Sequence, residues 1–303
     1  MLQANSLTRV SRSAKTGSTL ALLTAALCLF GVALDQYVLL LLALPSSFLA
    51  LSFCLHGCIA CHGGRLRGAQ RCAWGLLIGL VTILLCVFQL INGNLREWVA
   101  RNDAFSDLQN IKSAISAYED AHASIPPAAI YDQEGRPLLS WRVIILPYIG
   151  EKGLYKEFHL DEPWDSPHNL ALLDRMPKVY ASKRSNLGPP DSTPYEAFVG
   201  KTGSQDLSGY AAGKHTLLLT ESAEGLPWTK PQDVECAPGE ELPPLGGVYR
   251  SPFCLPNLLG RDHRGFHVVT REGMVYWIPA NKSVKWTPAV LADELKYGNL
   301  GGM

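Results

Sequence analysis

The sequence predicts an α+β protein in two parts: three transmembrane helices, and then a domain in which an amphipathic helix packs on an antiparallel sheet. Charge separates the parts. Residues 1–93 hold six Lys or Arg and a single acid, Asp35, whereas residues 94–303 carry a net charge of −5. Apolar residues at helical spacing and then strand-like runs follow residue 94. We therefore predict a membrane module over 1–93 and a folded domain over 94–303.

Three apolar stretches are long enough to cross a bilayer, which takes roughly 20 helical residues with a range of about 17 to 25. They are residues 17–34, 37–60 and 73–92. Only Asp35 and Gln36 join the first two, which indicates a tight helical hairpin. A buried soluble bundle is the alternative, and the scarcity of charge argues against it. The sequence thus predicts the lipid bilayer as a partner.

The basic residues predict the orientation, because Lys and Arg in short loops stay cytoplasmic. They precede the first span and fill the loop before the third: Arg9, Arg12, Lys15, Arg65, Arg67 and Arg71. Three crossings then predict a multi-pass protein of the bacterial cytoplasmic membrane, with its N-terminus inside and its C-terminal domain periplasmic. No small-x-small site follows the first span, which is typical of an uncleaved signal anchor.

The segment GCIACHGG places Cys58, Cys61 and His62 in the C-x-x-C-H spacing of covalently attached haem. That attachment takes place outside the cytoplasmic membrane, whereas the predicted topology puts the motif inside. A c-type haem protein is therefore the less favoured reading, and no cofactor is predicted. Cys54, Cys58 and Cys61 also suit one apolar helix face. Zinc would need His56 as a fourth ligand.

Beyond the third span, apolar residues recur at steps of three, four or seven, which predicts that the span runs, with Gly93 as a possible hinge, straight into an amphipathic helix that Pro126 and Pro127 end. Its apolar residues are Trp98, Phe105, Leu108, Ile111, Ile115 and Tyr118. Strands are predicted over four runs: Tyr195–Val199, Thr216–Thr220, Phe266–Thr270 and Met274–Ile278. A hairpin turn at Arg271-Glu272-Gly273 should join the last two.

Several segments of this domain resemble a large bacterial family of unknown function that is expanded in planctomycetes. They include LLSWRVIILPYIG, EPWDSPHN, MPKVY, YEAFVG, LPWTKPQDV and GFHVVTREGMVYWIP, within about residues 94–290. Members usually begin with a type II secretion or type IV pilin-like N-terminus. The resemblance implies a pseudopilin-like spine helix packed on a sheet, similar to the type II secretion G and H proteins, and no known catalytic residues. The positions that carry it are Trp141, Arg142, Pro147, Tyr148, Pro163, Trp164, Asp165, Ser166, Pro167, His168, Asn169, Trp228, Gly265, Glu272 and Gly273.

The chain departs from the family pattern in three ways. GSTLAL, from Gly17, lacks the Phe and Glu of the pilin processing signal, and the spine follows the third span instead of the first. Glu272 stands where the family's closing hairpin has Asp, and His263 lies one residue closer to it than usual. Assembly into a pilus or secretion fibre is therefore not expected.

Two clusters could carry chemistry. Asp161, Glu162, Asp165 and His168 fall within eight residues and could bind a divalent metal or act as an acid–base pair. The favoured alternative is local, with Ser166 or Asp165 capping a helix that opens at Pro167.

The second cluster is Asp262, His263 and His267, in which the two histidines would share one face of a strand. Two histidines are too few for a metal site, so surface histidines are the favoured alternative. No metal site is therefore predicted at either cluster.

Cys236 and Cys254 are the two cysteines of the predicted outer domain, within a Pro- and Gly-rich segment. An oxidising compartment would permit a disulfide between them, and the alternative is two buried free thiols. Both alternatives stay open, because the sequence does not give the distance between the two residues.

The sequence therefore predicts a membrane-anchored, non-enzymatic structural or interaction protein of the bacterial cell envelope, with an envelope protein or polymer as partner. Nucleic acid is not expected because no basic stripe with interleaved aromatics occurs. A nucleotide is not expected because no glycine-rich loop follows a strand. The alternative is an envelope metal-binding protein or hydrolase that uses Asp161, Asp165 and His168, or His263 and His267.

Overall fold

The computed structural model describes residues 66–181, 189–201, 206–212, 214–246, 249–250, 264–279, 285–295 and 299–300. The chain divides into two compact units, residues 1–96 and 97–303. The second unit holds the sheets.

Helix α1 extends from Leu66 to His122. Leu108, Ile111 and Ile115 are at most 1% exposed and lie in the main hydrophobic core. The predicted spine helix and its packing are therefore confirmed over this part. Trp98, predicted for the same apolar face, is 45% exposed instead. The helix ends before Ala123, whose φ of 52° is left-handed.

The prediction of three transmembrane helices is corrected by the structure. In the described part of the chain, no helix is both long enough and apolar enough to cross a membrane. Residues 73–92, the predicted third span, continue through Asn94, Arg96 and Glu97 as part of one 57-residue helix, so the predicted continuity of this segment with the spine is confirmed although its spanning is not. A multi-pass protein of the cytoplasmic membrane is therefore not supported. The predicted spans 17–34 and 37–60, with Cys58, Cys61 and His62, lie outside the described residues.

A small hairpin and several short helices follow α1. Strands β1 (Ala129–Tyr131) and β2 (Pro137–Ser140) pair antiparallel. The helices are α2 (Trp141–Ile144), α3 (Lys152–Glu157) and α4 (Pro167–Leu170), and the 3-10 turns are Leu146–Tyr148, Leu173–Arg175 and Lys178–Tyr180. Ser166 caps α4 by accepting a hydrogen bond from the Asn169 N–H, with Pro167 in the first turn. The predicted cap is therefore confirmed.

The main sheet has the strand order β10-β9-β8-β5-β3-β6, with β4 paired to β5 and β7 to β8. Its strands are β3 (Ser192–Gly200), β4 (Tyr210–Ala212), β5 (His215–Pro227), β6 (Val234–Cys236), β7 (Tyr249–Arg250), β8 (Arg264–Thr270), β9 (Val275–Pro279) and β10 (Asn299–Leu300). Helix α5 (Pro288–Glu294) is capped by Thr287.

Strands occur in all four predicted places. The β8–β9 hairpin is antiparallel, with Val269 opposite Val275 and Gly273 at φ +91° in its turn, as predicted. One pairing differs from the predicted antiparallel sheet, because β6 runs parallel to β3. Because β5 runs antiparallel to β3, the chain that reverses direction after β5 runs parallel to β3 when it pairs with the other side of that strand.

Strand β3 separates two hydrophobic cores. Successive side chains of a strand point to opposite faces of the sheet. Tyr195 and Ala197 belong to the core that includes Leu108 and Ile111 of α1, and Phe198 belongs to a second core on the other face. Glu196 therefore lies on the Phe198 face, where a carboxyl group is exceptional among apolar neighbours.

Candidate functional site

A buried ion pair joins Arg142 of α2 to Asp233, the residue before β6. Their side chains are 0% and 7% exposed, and Arg142 Nη2 lies 3.1 Å from Asp233 Oδ1. Arg142 also donates from Nε and Nη2 to the Tyr195 carbonyl oxygen, at 3.0 and 2.5 Å, and from Nη1 to Ser140 Oγ at 2.6 Å. The guanidinium is thus fully engaged within the fold.

Asp233 is held by further donors. Its Oδ1 accepts from Trp141 Nε1 at 3.0 Å and from the Ala197 N–H at 2.8 Å. Burial raises the pKa of Asp233, and the Arg142 charge and these hydrogen bonds act in the opposite direction. The pair fixes α2 against β3 and the start of β6.

A cleft of about 750 Å³ lies beside this pair. Its polar lining comes from β3, β5, β6 and the segments that flank β6: Glu196, Lys201, Ser222, Glu224, Lys230, Gln232, Asp233, Glu235, Glu240 and Glu241. Its apolar lining is Gly225, Leu226, Pro227, Leu242, Pro243 and Pro244. The volume is within the range of small-ligand sites, about 300 to 1,000 Å³.

Glu196 is the buried carboxyl group of this cleft, and the residue is only 6% exposed. Burial raises its pKa to about 7, which the Ser222 hydrogen bond and the Arg142 charge oppose and the Asp233 charge reinforces. Arg142 does not neutralise Glu196 by contact, because its donors already bind Ser140, Tyr195 and Asp233. Glu196 can therefore exchange a proton near neutral pH.

Most charges at the cleft rim are paired. Lys201 forms an ion pair with Glu240, Glu241 lies 3.3 Å from Lys285, and the Lys230 ammonium lies 5.9 Å from the ring centroid of Trp164. Glu224 and Glu235 are exposed at the same rim. The rim is therefore acidic on balance.

Arg142, Glu196 and Asp233 of this site lie within one segment of the chain that matches a known family. Residues 101–234 match the model of a family described as "Protein of unknown function (DUF1559)". The expected resemblance to a family of unknown function is confirmed for this segment, whereas the match does not show the link to pseudopilins or type II secretion. No curated protein and no solved structure matches the chain.

Within the matched residues 101–234, Asn169 organises the loop that contains the predicted acidic cluster. Its Nδ2 donates to the carbonyl oxygens of His159, Glu162 and Pro163, at 2.9, 3.2 and 3.1 Å. Its Oδ1 accepts from the His159 N–H at 3.0 Å. These bonds give Pro163 and Asn169 a structural role in closing the loop.

The predicted acid–base cluster does not converge on one point. His168 Nε2 lies 2.8 Å from the Glu157 carbonyl oxygen, and its ring stacks on His159 at 3.5 Å between centroids. Asp161 and Asp165 are exposed. Across the described ranges, no group of three or more His, Cys, Asp or Glu could hold a metal ion.

His267 is buried, not at the surface as expected, because the rings of Phe105 and Trp277 pack against it, with centroids 6.2 and 5.0 Å from its own. Its Nδ1 lies 2.9 Å from Glu221 Oε2, and the backbone N–H of His267 donates to the same oxygen at 2.7 Å. Glu221 is also fully buried and is not among the residues predicted from the sequence. An acid within the apolar run of β5 was the available signal. Asp262 and His263 lie outside the described residues.

The other residues of the family resemblance have packing roles. Trp228 Nε1 donates to the Leu173 carbonyl oxygen at 3.0 Å, and the backbone N–H of Trp164 donates to the Leu138 carbonyl oxygen at 2.8 Å. Pro147 lies within a 3-10 turn, and Tyr148 Oη lies 3.2 Å from His122 Nδ1.

Gly265 lies where the neighbouring strand leaves no space for a side chain. A Cβ there would lie 2.4 Å from the Trp277 ring and 2.6 Å from the Ile278 carbonyl oxygen. Any side chain at this position would therefore force β8 and β9 apart.

Cys236 is buried, and its Sγ lies 3.7 Å from the Val234 carbonyl oxygen. Burial raises its pKa to about 12. Cys254 lies outside the described residues, so the disulfide stays a prediction.

Proposed function

We propose that this domain is a non-enzymatic interaction module that binds a partner through the cleft above Glu196. The observation that carries the proposal is the cleft itself, a volume of about 750 Å³ with exposed acids at its rim and a buried carboxyl group in its lining. The cleft is concave and lies on a rigid sheet, which suits a preformed binding site.

The polar groups of the matched residues 101–234 support interaction over catalysis. Arg142, Asp233 and Asn169 are committed to contacts that hold α2, β3 and the loop after α3 in place. His159 and His168 stack on each other and bind neighbouring groups of the same loop. These residues therefore shape the domain around the cleft.

A setting in the bacterial cell envelope and a relationship to pseudopilins belong to the same proposal. Their support is the resemblance of the segment to a bacterial family whose members usually begin with a secretion- or pilin-like N-terminus. An envelope protein or polymer is the partner that this setting suggests. Detection of the chain in the envelope fraction of its native cells would test the setting separately.

Site-specific photo-crosslinking in cells tests the interaction function. A benzophenone side chain at Glu224 or Gln232, both exposed at the rim, should give a discrete adduct. The same side chain at Lys152, exposed on α3, should give none. Equal adducts at all three positions would contradict a specific surface. Turnover of chromogenic ester, phosphate or glycoside substrates that disappears in Glu196→Gln would show an enzyme instead.

A further inference from the structure

The charges that line the cleft are unequal. Six acids and two lysines contribute to its lining. Three of the acids are paired: Asp233 with Arg142, Glu240 with Lys201 and Glu241 with Lys285. Among the described residues, Glu196, Glu224 and Glu235 have no ion-pair partner. Lys230, the second lysine of the lining, offsets one of these three carboxyl groups, so the charge of the described lining remains negative.

Glu196 has unused acceptor capacity. A carboxylate offers about four acceptor positions, and the Ser222 hydroxyl occupies one of those on Glu196. Ser222 Oγ is itself oriented by the Glu224 N–H, at 3.4 Å. A carboxylate that is nine-tenths buried with a single hydrogen bond is costly in its charged form, unless a donor or cation enters the cleft.

The apolar lining shows which kind of cation fits. Leu226, Leu242, Pro243 and Pro244 supply aliphatic surface beside the acids, and the described residues of the lining include no aromatic side chain. Lysine and arginine side chains bury an aliphatic stem along such a surface and place the charged head at its end. A sugar would favour an aromatic platform, and a metal ion would need three converging ligands, which the described residues do not offer.

We propose that the cleft binds the side chain of a lysine or arginine residue of a partner protein. The stem packs on the leucine and proline wall, Glu196 accepts hydrogen bonds from the ammonium or guanidinium group, and Glu224 and Glu235 attract it to the rim. This inference deepens the proposed interaction function and rests on it.

Calorimetric titration of the full chain with Gly-Arg-Gly and Gly-Lys-Gly peptides, blocked at both ends, tests the proposal. The matched control replaces arginine by citrulline, which keeps the shape and removes the charge. We expect at least one basic peptide to bind, and the citrulline peptide to bind at least tenfold more weakly at pH 8. Undetectable binding of both basic peptides would overturn the proposal, as would tighter binding of free spermidine.

The Glu196→Gln variant identifies the group responsible, because glutamine keeps the size of the side chain. Affinity at pH 8 should fall at least tenfold, whereas at pH 5.5 the variant and the natural protein should bind alike, since burial holds the pKa of Glu196 at about 7. Glu134→Gln, at an exposed acid outside the cleft, should change nothing. Equal losses in both variants would indicate non-specific attraction and overturn the inference. Specific cross-links at the rim without peptide binding would leave the interaction function standing and refute only the basic ligand.

Discussion

At the scale of single residues, Glu196 links the charge of the cleft to the stability of the fold. Burial raises its pKa from 4.5 to about 7, so the folded chain binds a proton that the unfolded chain has lost over this pH window. The free energy of unfolding should therefore fall as pH rises from about 4.5 to 7 and level off above, by up to about 3 kcal/mol.

Urea unfolding of the natural protein and of Glu196→Gln at pH 5, 6, 7 and 8 measures this contribution. The variant should gain stability over the natural protein as pH rises, because glutamine is neutral throughout. Glu224→Gln, at the exposed rim, is the matched control and should track the natural protein. A constant difference between Glu196→Gln and the natural protein at all four pH values would show that Glu196 does not titrate in this window.

Asp233 is the second residue with a large predicted effect. Asp233→Asn keeps some hydrogen bonds but leaves the Arg142 charge buried without its counter-charge. Removing one partner of a buried pair typically costs about 3–5 kcal/mol. Thermal unfolding should show a clear loss for Asp233→Asn and almost none for Asp165→Asn, whose side chain is exposed. Equal melting temperatures for the two variants would contradict the role of the pair.

At the scale of elements, the packing of α1 on the sheet should dominate stability. Leu108 is fully buried in the main core. Leu108→Ala should cost about 2–5 kcal/mol, because it removes buried methyl groups and leaves a cavity. Ser113→Ala, on the exposed side of the same helix, is the control. An unchanged urea midpoint for Leu108→Ala would mean that α1 does not depend on this contact.

Helix α4 provides a smaller test. Ser166 Oγ accepts from the Asn169 N–H at 3.2 Å, and Pro167 follows in the first turn. Ser166→Ala should cost about 1 kcal/mol, since it removes the capping acceptor. Ser166→Thr keeps a capping hydroxyl and should lose less. Chemical denaturation compares the two variants, and an alanine variant as stable as the threonine variant would argue against the cap.

At the scale of the whole molecule, stability should be greatest in the centre of the main sheet. Strands β3 and β5 each have neighbours on both sides, whereas β1 and β2 form a separate two-stranded hairpin. Amides of Ala197, Leu217 and Leu219 should therefore exchange with deuterium more slowly than those of β1. Hydrogen exchange followed by mass spectrometry measures this order, and faster exchange in β5 than in β1 would contradict it.

Local patterns in the sequence determined the elements that depend on neighbours in the chain. Leu108, Ile111 and Ile115 recur at helical spacing and are buried, and Gly273 takes the left-handed conformation that its turn requires. Ser166 and Pro167 begin a helix as their types predict. The apolar stretch 73–92 shows the limit of such patterns. Its predicted continuation into the spine is confirmed, but no helix of the described residues is both long and apolar enough to cross a membrane.

Only the tertiary structure decided the site. Arg142 and Asp233 are 91 positions apart, and Glu221 and His267 are 46 positions apart, so no local spacing joins either pair. In the sequence, nothing distinguishes Glu196 from other polar residues of a strand. Its environment is set by Phe198 and by the segment after β6, which lie on the same face of the sheet. Periodicity is a property of adjacent residues, whereas burial and electrostatic coupling depend on which distant segments pack together. The sequence by itself therefore determined the spine helix and four strands of the main sheet, and packing decided which of its acids are buried and what they face.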